Sequence, residues 1–125
     1  MVMKVILDTN FVIDLIRFKT NLENMDSSFD ENLEIHVIER TVEELQRIAS
    51  EETDEGKFAR LAIEIIKRKG IKMLKTDEKN TDDALLDKAK EGYVIATNDV
   101  ELRERIKKEG MRTIYLRGKK EIMMS

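Results

Sequence analysis

Acidic side chains recur in this chain where apolar runs stop. Asp8 directly follows Val5-Ile6-Leu7. Glu43 and Glu44 come shortly after Ile35 to Ile38, and Asp82 and Asp83 come after Ile71 to Leu74, beyond the segment Lys75 to Asn80. Asp99 and Glu101 follow Tyr93 to Thr97. Carboxylates gathered from such places without matching cations repel one another, and a divalent ion relieves the repulsion. Hard oxygen ligands with no Cys or His among them suit Mg²⁺ or Mn²⁺ rather than zinc. The chemistry such a pocket supports is phosphodiester hydrolysis. One ion lowers the pKa of a bound water, and a second, about 3.5–4 Å away, can steady the leaving oxygen.

Each acid also has a plain structural reading. Thr41-Val42-Glu43-Glu44 fits a capping box with Glu44 at its third helical position, and Asn80-Thr81-Asp82-Asp83 and Asn98-Asp99-Val100-Glu101 fit capping patterns. Acids in a first helical turn gain about 0.3–1 kcal/mol from the helix dipole. Taken singly, Glu44, Asp83 and Asp99 read first as caps. Asp8 is harder to explain that way. It ends an apolar run, where a charge is costly unless paired or metal-bound, and Asn10 is an alternative cap for the helix that follows.

The elements that would position these acids follow from periodicity. Five apolar runs have strand length: Val2 to Leu7, Ile35 to Ile38, Ile71 to Leu74, Tyr93 to Thr97 and Thr113 to Leu116. Several are apolar on both faces, as strands covered from both sides are. Between them lie helical patterns. The clearest spans about Asp54 to Lys69, with Phe58, Leu61, Ala62, Ile65 and Ile66 on one stripe. Others start near Asn10 and Thr41, carry Leu85, Leu86 and Ala89, and carry Leu102 and Ile106. Lys69-Gly70-Ile71, Glu91-Gly92-Tyr93 and Glu109-Gly110-Met111 repeat one rhythm of helix end, glycine and strand. Strands alternating with helices predict an α/β fold whose sheet is mainly parallel, with helices on both faces. In such a sheet every strand-to-helix junction lies at one edge, where ligand sites form. One domain is expected over residues 1–120, a flexible tail over 121–125, and a loop or short helix over about 19–33.

Composition narrows the function classes. Cysteine is absent, so disulfides and thiolate metal sites are excluded. The net charge of −3 excludes a globally basic nucleic-acid binder. Yet Arg103, Arg105, Lys107, Lys108, Arg112, Arg117, Lys119 and Lys120 crowd the C-terminal end, as a solvated helix face and tail or as a rim facing phosphate. No apolar run is long enough for a signal core or a membrane span, so a soluble, cytoplasmic protein is expected. His36, the only histidine, lies in an apolar strand and reads as structural. Asp14, one turn beyond Asn10, reads as solvated or paired. There is no glycine-rich phosphate loop.

These motifs resemble PIN-domain nucleases. Val5 to Ile13, with Asp8-Thr9-Asn10 at its centre, looks like the family's opening strand and signature. Thr41-Val42-Glu43-Glu44-Leu45, Thr81-Asp82-Asp83-Ala84-Leu85-Leu86 and Ile95 to Leu102 resemble its later acidic positions, in order, and Thr113 to Leu116 its last strand. The Asp-Asp pair and the Thr-Asn-Asp-x-Glu-Leu run look closer to the ribosomal-RNA-processing branch than to VapC-type toxins.

The resemblance implies a five-stranded three-layer sandwich and a ribonuclease using one or two Mg²⁺ or Mn²⁺ ions. Frequent homodimers are implied as well, with an antitoxin or a ribosome-assembly partner. It makes Asp8, Glu44, Asp83 and Asp99 the catalytic and metal-binding quartet. Thr9, Asn10 and Thr97 would then aim the carboxylates through hydrogen bonds. Two registers stay open, Glu43 against Glu44 and Asp82 against Asp83. The second of each is preferred because Leu45 and Ala84 anchor the motifs. Glu101 is an extra peripheral acid or a cap. An RNA-binding scaffold of the same fold, with little catalysis, is the competing reading. A phosphotransferase using Asp8 lacks a matching downstream lysine motif.

Overall fold

A computed structural model describes residues 2–20, 22, 25, 29, 32–118 and 121–125. Much of the 19–33 segment, and Lys119 and Lys120 of the basic stretch, lie outside the described residues.

Alternation within the first strand decides the layering. In β1 (Val2–Leu7), Val5 and Leu7 point to one face and Ile6 to the other, and all three are buried. Val5 and Leu7 pack with Phe11, Val12 and Leu15 of α1 (Thr9–Arg17), Leu45 of α2 (Glu39–Ala49) and Ala59 and Ala62 of α3 (Asp54–Arg68). Ile6 packs instead with Ala84, Leu85 and Ala89 of α4 (Thr81–Lys90) and Leu102 and Ile106 of α5 (Val100–Lys108). A strand with both faces covered cannot alternate apolar with polar, which is why Val5-Ile6-Leu7 is a continuous apolar run. Each large side chain so buried contributes about 1.5–3 kcal/mol.

The remaining strands are β2 (Asn32–Ile38), β3 (Lys72–Leu74), β4 (Val94–Ala96), β5 (Thr113–Arg117) and β6 (Glu121–Met124). Their order in the sheet is β3-β2-β1-β4-β5-β6, with Val5 opposite both Ile35 and Val94. Pairing is parallel throughout except between β5 and β6. The strand order therefore reverses at β1, between β2 and β4, and a crevice opens at the carboxyl end of that point. The three expected helix ends form, with Gly70, Gly92 and Gly110 at φ +63°, +108° and +82°. Glycine meets no Cβ penalty in that region.

Two expectations need correction. Residues 121–124 are not a tail but a sixth strand, antiparallel to β5. Gly118, at φ +62°, lets the chain reverse. Ile122 and Met124 then pack against the core, and pairing runs on to Ser125, whose N–H donates to the Thr113 carbonyl at 2.9 Å. Four residues are too few to carry a periodic signal of their own. The capping box at Thr41 does not form either. α2 begins at Glu39, with Ile38 as its N-cap and no side-chain cap bond, and the Thr41 hydroxyl is buried without a partner. Glu44 thus sits in the second turn of its helix.

Candidate active site

Asp8 leaves β1 straight into the crevice and caps α1. Its Oδ1 accepts from the Thr9 backbone N–H at 2.8 Å, and its Oδ2 accepts from the Thr97 hydroxyl at 2.7 Å and from Asn10 Nδ2 at 3.4 Å. It is only 6% exposed. Burial pushes its carboxyl up to about 6, against the pull of the Thr97 and Thr9 hydrogen bonds. The negative charges of Glu44 and Asp82 push it the same way. The ordinary value is 3.8, so the site holds this carboxylate in its charged form at a cost.

Around Asp8 opens a cleft of about 570 Å³, lined on its acidic side by Glu44, Asp82 and Asp99. Glu44 arrives from α2 and accepts a hydrogen bond from the Thr9 hydroxyl at 3.3 Å. Asp99 is the N-cap of α5, its Oδ1 accepting from the Leu102 N–H at 3.2 Å. The capping reading is therefore right for Asp99, and the residue lines the cleft as well. Asp82 lies in the first turn of α4, and its carboxyl is raised, first by burial and then by the charge of Asp99. Among the described residues, none of Asp8, Glu44, Asp82 and Asp99 forms an ion pair with lysine or arginine.

The register of the Asp pair differs from the preferred one. Asn80 caps α4 by accepting from the Asp83 N–H at 3.1 Å, which places Asp82 second and Asp83 third in the helix. Asp82 faces the cleft. Asp83 does not line it; its Oδ1 accepts from Arg105 of α5 at 2.8 Å in an exposed ion pair. Glu43 is absent from the lining and Glu44 is part of it. Glu101 also stays out of the lining, in the first turn of α5, although its charge adds to the upward push on Asp82.

Hydrogen bonds fix the floor. Asn10 Oδ1 accepts from the Asn98 N–H at 3.0 Å, and the Thr97 hydroxyl accepts from the Asp99 N–H at 3.1 Å. Asn98 donates through Nδ2 to Asp14 at 2.8 Å, while its Oδ1 accepts from the Leu116 N–H at 2.8 Å. The turn that carries Asp99 is thereby tied to α1 and to β5. Sequence reasoning passed over Asn98, and over Arg17 and Glu55 on the cleft wall. Arg17 is held by Asp14 at 3.3 Å and by Glu55. Asn10, Asp14 and Arg17 at i, i+4 and i+7 were a legible signal of one polar helix face. Nothing in the sequence marked Glu55, which reaches the cleft by the packing of α3 on α1. His36 lies elsewhere, buried in β2, with Nε2 at 2.9 Å from Glu34 and its ring edge-on to Tyr93.

The side chains that could ligate an ion here offer carboxylate, hydroxyl and amide oxygens, and among the described residues none of the four acids has a lysine or arginine within ion-pair distance. By that chemistry the set fits a hard divalent cation. Among the described residues no three acidic side chains lie close enough together to enclose an ion. The acids ring the cleft rather than meeting at a point.

Comparisons with known proteins agree with this architecture. The chain is 30% identical, over 122 residues, to Ribonuclease VapC4 of Methanocaldococcus jannaschii, covering 94% of this chain and 92% of the relative. The fold superposes on the PIN domain endonuclease Utp24 with a TM-score of 0.81 at 24% identity, covering 98% of this chain and 90% of that one. It also matches a domain of a functionally unknown Methanocaldococcus jannaschii protein, with a TM-score of 0.65 at 24% identity, covering 95% and 94% of the two chains. Residues 5–119 match the family described as PIN like domain, and the chain belongs to that family.

Proposed function

We propose that this protein is an endoribonuclease that hydrolyses RNA phosphodiester bonds at the cleft around Asp8, with Mg²⁺ or Mn²⁺ as its cofactor. The observation that carries the reading is the convergence of Asp8, Glu44, Asp82 and Asp99 on one cleft, with no lysine or arginine among the described residues pairing any of them. The kinship with a protein named as a ribonuclease supports RNA as the substrate class.

Asp8 and Asp99 are the residues best placed to hold the cation. They flank the strand-order reversal, and Thr97 bonds to both of them. Asp82 and Glu44 complete the ring. Bound there, the cation supplies Lewis acidity toward water and toward a phosphoryl oxygen. The chain's own residues do the rest. Thr9 and Thr97 hold the Asp8 carboxylate in one orientation, Asn10 and Asn98 lock the turn that presents Asp99, and Glu44 orients the attacking water and accepts its proton.

The test is cleavage of an end-labelled RNA by purified wild-type and Asp8→Asn protein, each first shown to be folded by circular dichroism. Wild-type protein should cut in Mn²⁺ and stop on chelation. Removal of a ligand should cost more than the roughly 10–100-fold typical of its hydrogen-bonding partners. Undiminished cleavage by Asp8→Asn would overturn the assignment.

A further inference from the structure

Among the described residues, one arginine at the carboxyl edge of the sheet is held by an aromatic ring rather than by a carboxylate. Arg103 lies one helical turn beyond Asp99 on α5, its backbone N–H donating to the Asp99 carbonyl at 3.0 Å. Its guanidinium lies 4.0 Å over the ring of Tyr115 on β5. Among the described residues no carboxylate pairs with it, and its Nε is buried without an acceptor. The other arginines near this edge are engaged: Arg105 by Asp83, Arg117 by Glu121, Arg17 by Asp14 and Glu55, and Arg40 by the Glu78 carbonyl. Arg103 thus stands out as a half-buried cation whose position is fixed by an aromatic ring and whose charge is open.

Arg103 stands at the same edge of the sheet as the cleft, outside the residues that line it. Tyr115 precedes Leu116, whose N–H is held by Asn98, the neighbour of Asp99. The ring, the guanidinium and the carboxylates therefore share the carboxyl edge of the parallel sheet. An acidic cleft does not attract a polyanion by itself, so an RNA strand needs a cationic seat just outside it. A planar guanidinium already stacked on a ring offers two things a strand can use: paired donors for phosphate and a flat surface for a base.

We infer that Arg103, backed by Tyr115, is the seat of the RNA strand entering the carboxylate cleft, taking a backbone phosphate next to the one that is cut. This rests on the nuclease reading above, and it makes Arg103 a binding residue for single-stranded RNA rather than a packing residue of α5. Tyr115 positions it.

The test is binding of fluorescein-labelled oligouridine to Asp8→Asn protein in Mg²⁺, so that the probe is not consumed, read by anisotropy across a salt series. Adding Arg103→Gln should weaken binding about tenfold, the loss of one charge-assisted phosphate contact. It should also flatten the slope of log K against log salt by about 0.7. Arg103→Lys should restore the slope but only part of the affinity, because the ammonium keeps the charge and loses the stacked plane. Arg68→Gln, on α3 at the opposite edge of the sheet, controls for net charge and should leave the slope alone. In active protein, Arg103→Gln should raise KM more than it lowers kcat.

An unchanged slope and affinity in Arg103→Gln, while wild-type protein still cuts RNA, would overturn this inference and leave the nuclease reading standing. A fall in melting temperature with RNA affinity intact would show a packing role instead and overturn it too. Wild-type protein that neither binds nor cuts RNA would overturn both.

Discussion

At the scale of single residues, Asp8 carries the tension of the site. Its carboxyl is raised from 3.8 to about 6, chiefly by burial. Between those values the folded chain holds a proton that the unfolded chain has released. The stabilisation is therefore full below the lower value and lost as pH rises through about 6. Above that, metal-free protein folds against the cost of a buried charge. Asp8→Asn removes this cost, so in EDTA at pH 7 the variant should be more stable than wild type by about 1–3 kcal/mol. The gap should close toward pH 4. Urea denaturation at the two pH values measures it, and a variant less stable at pH 7 would contradict the argument.

The Asp82–Asp83 pair gives a second residue-scale prediction. Asp82→Asn should depress RNA cleavage strongly, by about 10–100-fold or more. Asp83→Asn gives up an exposed ion pair worth about 0–1 kcal/mol of stability and should leave the cleavage rate close to wild type. Equal losses, measured as initial rates, would refute the observed register.

At the scale of elements, the junctions were legible and the helix phases were not. Continuous apolar runs gave β1 to β5, and the helix-glycine-strand endings gave the crossovers, because both are local chemistry. The convergence of Asp8, Glu44 and Asp99 followed from those alone, since a parallel sheet brings its strand-to-helix junctions to one edge. What escaped was rotation. One residue of register turns a helical side chain by about 100°. In the structure the burial of Ala84, Leu85 and Ala89 sets the phase of α4, which turns Asp82 to the cleft and Asp83 to Arg105, and the motif alone did not show this. The start of α2 at Glu39 was hidden for a similar reason: Thr41 has the right type for a cap but is buried without a partner inside the first turn. β6 went unread because its only lasting feature is the free edge of β5.

The joint between α2 and α3 yields a prediction of its own. A Cβ placed on Gly56 would lie 2.0 Å from the Glu51 carbonyl oxygen and 3.0 Å from that of Ile48. Both are backbone atoms and cannot rotate aside. Gly56→Ala should destabilise by about 1–3 kcal/mol, the usual cost of overpacking, despite alanine's better helix propensity. Thermal denaturation checks it. A neutral or stabilising effect would mean that the segment joining α2 to α3 yields freely.

At the scale of the whole molecule, the fold brings four acids from four separate junctions to one place. No described helix is long and apolar enough to cross a membrane. The sheet reverses its order at β1, both faces are sealed by helices, and the opening that remains is ringed by negative charge. A sheet of this topology supplies the place, and the side chains supply the need for a counter-ion. The cleft should therefore respond to a divalent cation as a unit, more strongly than any exposed pair of acids would.

The most direct measurement of that claim is the melting temperature during a Mn²⁺ titration of wild-type protein and of the Asp8→Asn/Asp99→Asn double variant. Wild type should gain about 2.7 kcal/mol once free ion reaches a hundred times its Kd, and EDTA should reverse the gain. The double variant should show almost none. A wild-type curve that stays flat at millimolar Mn²⁺, or a double variant that rises equally, would contradict the account.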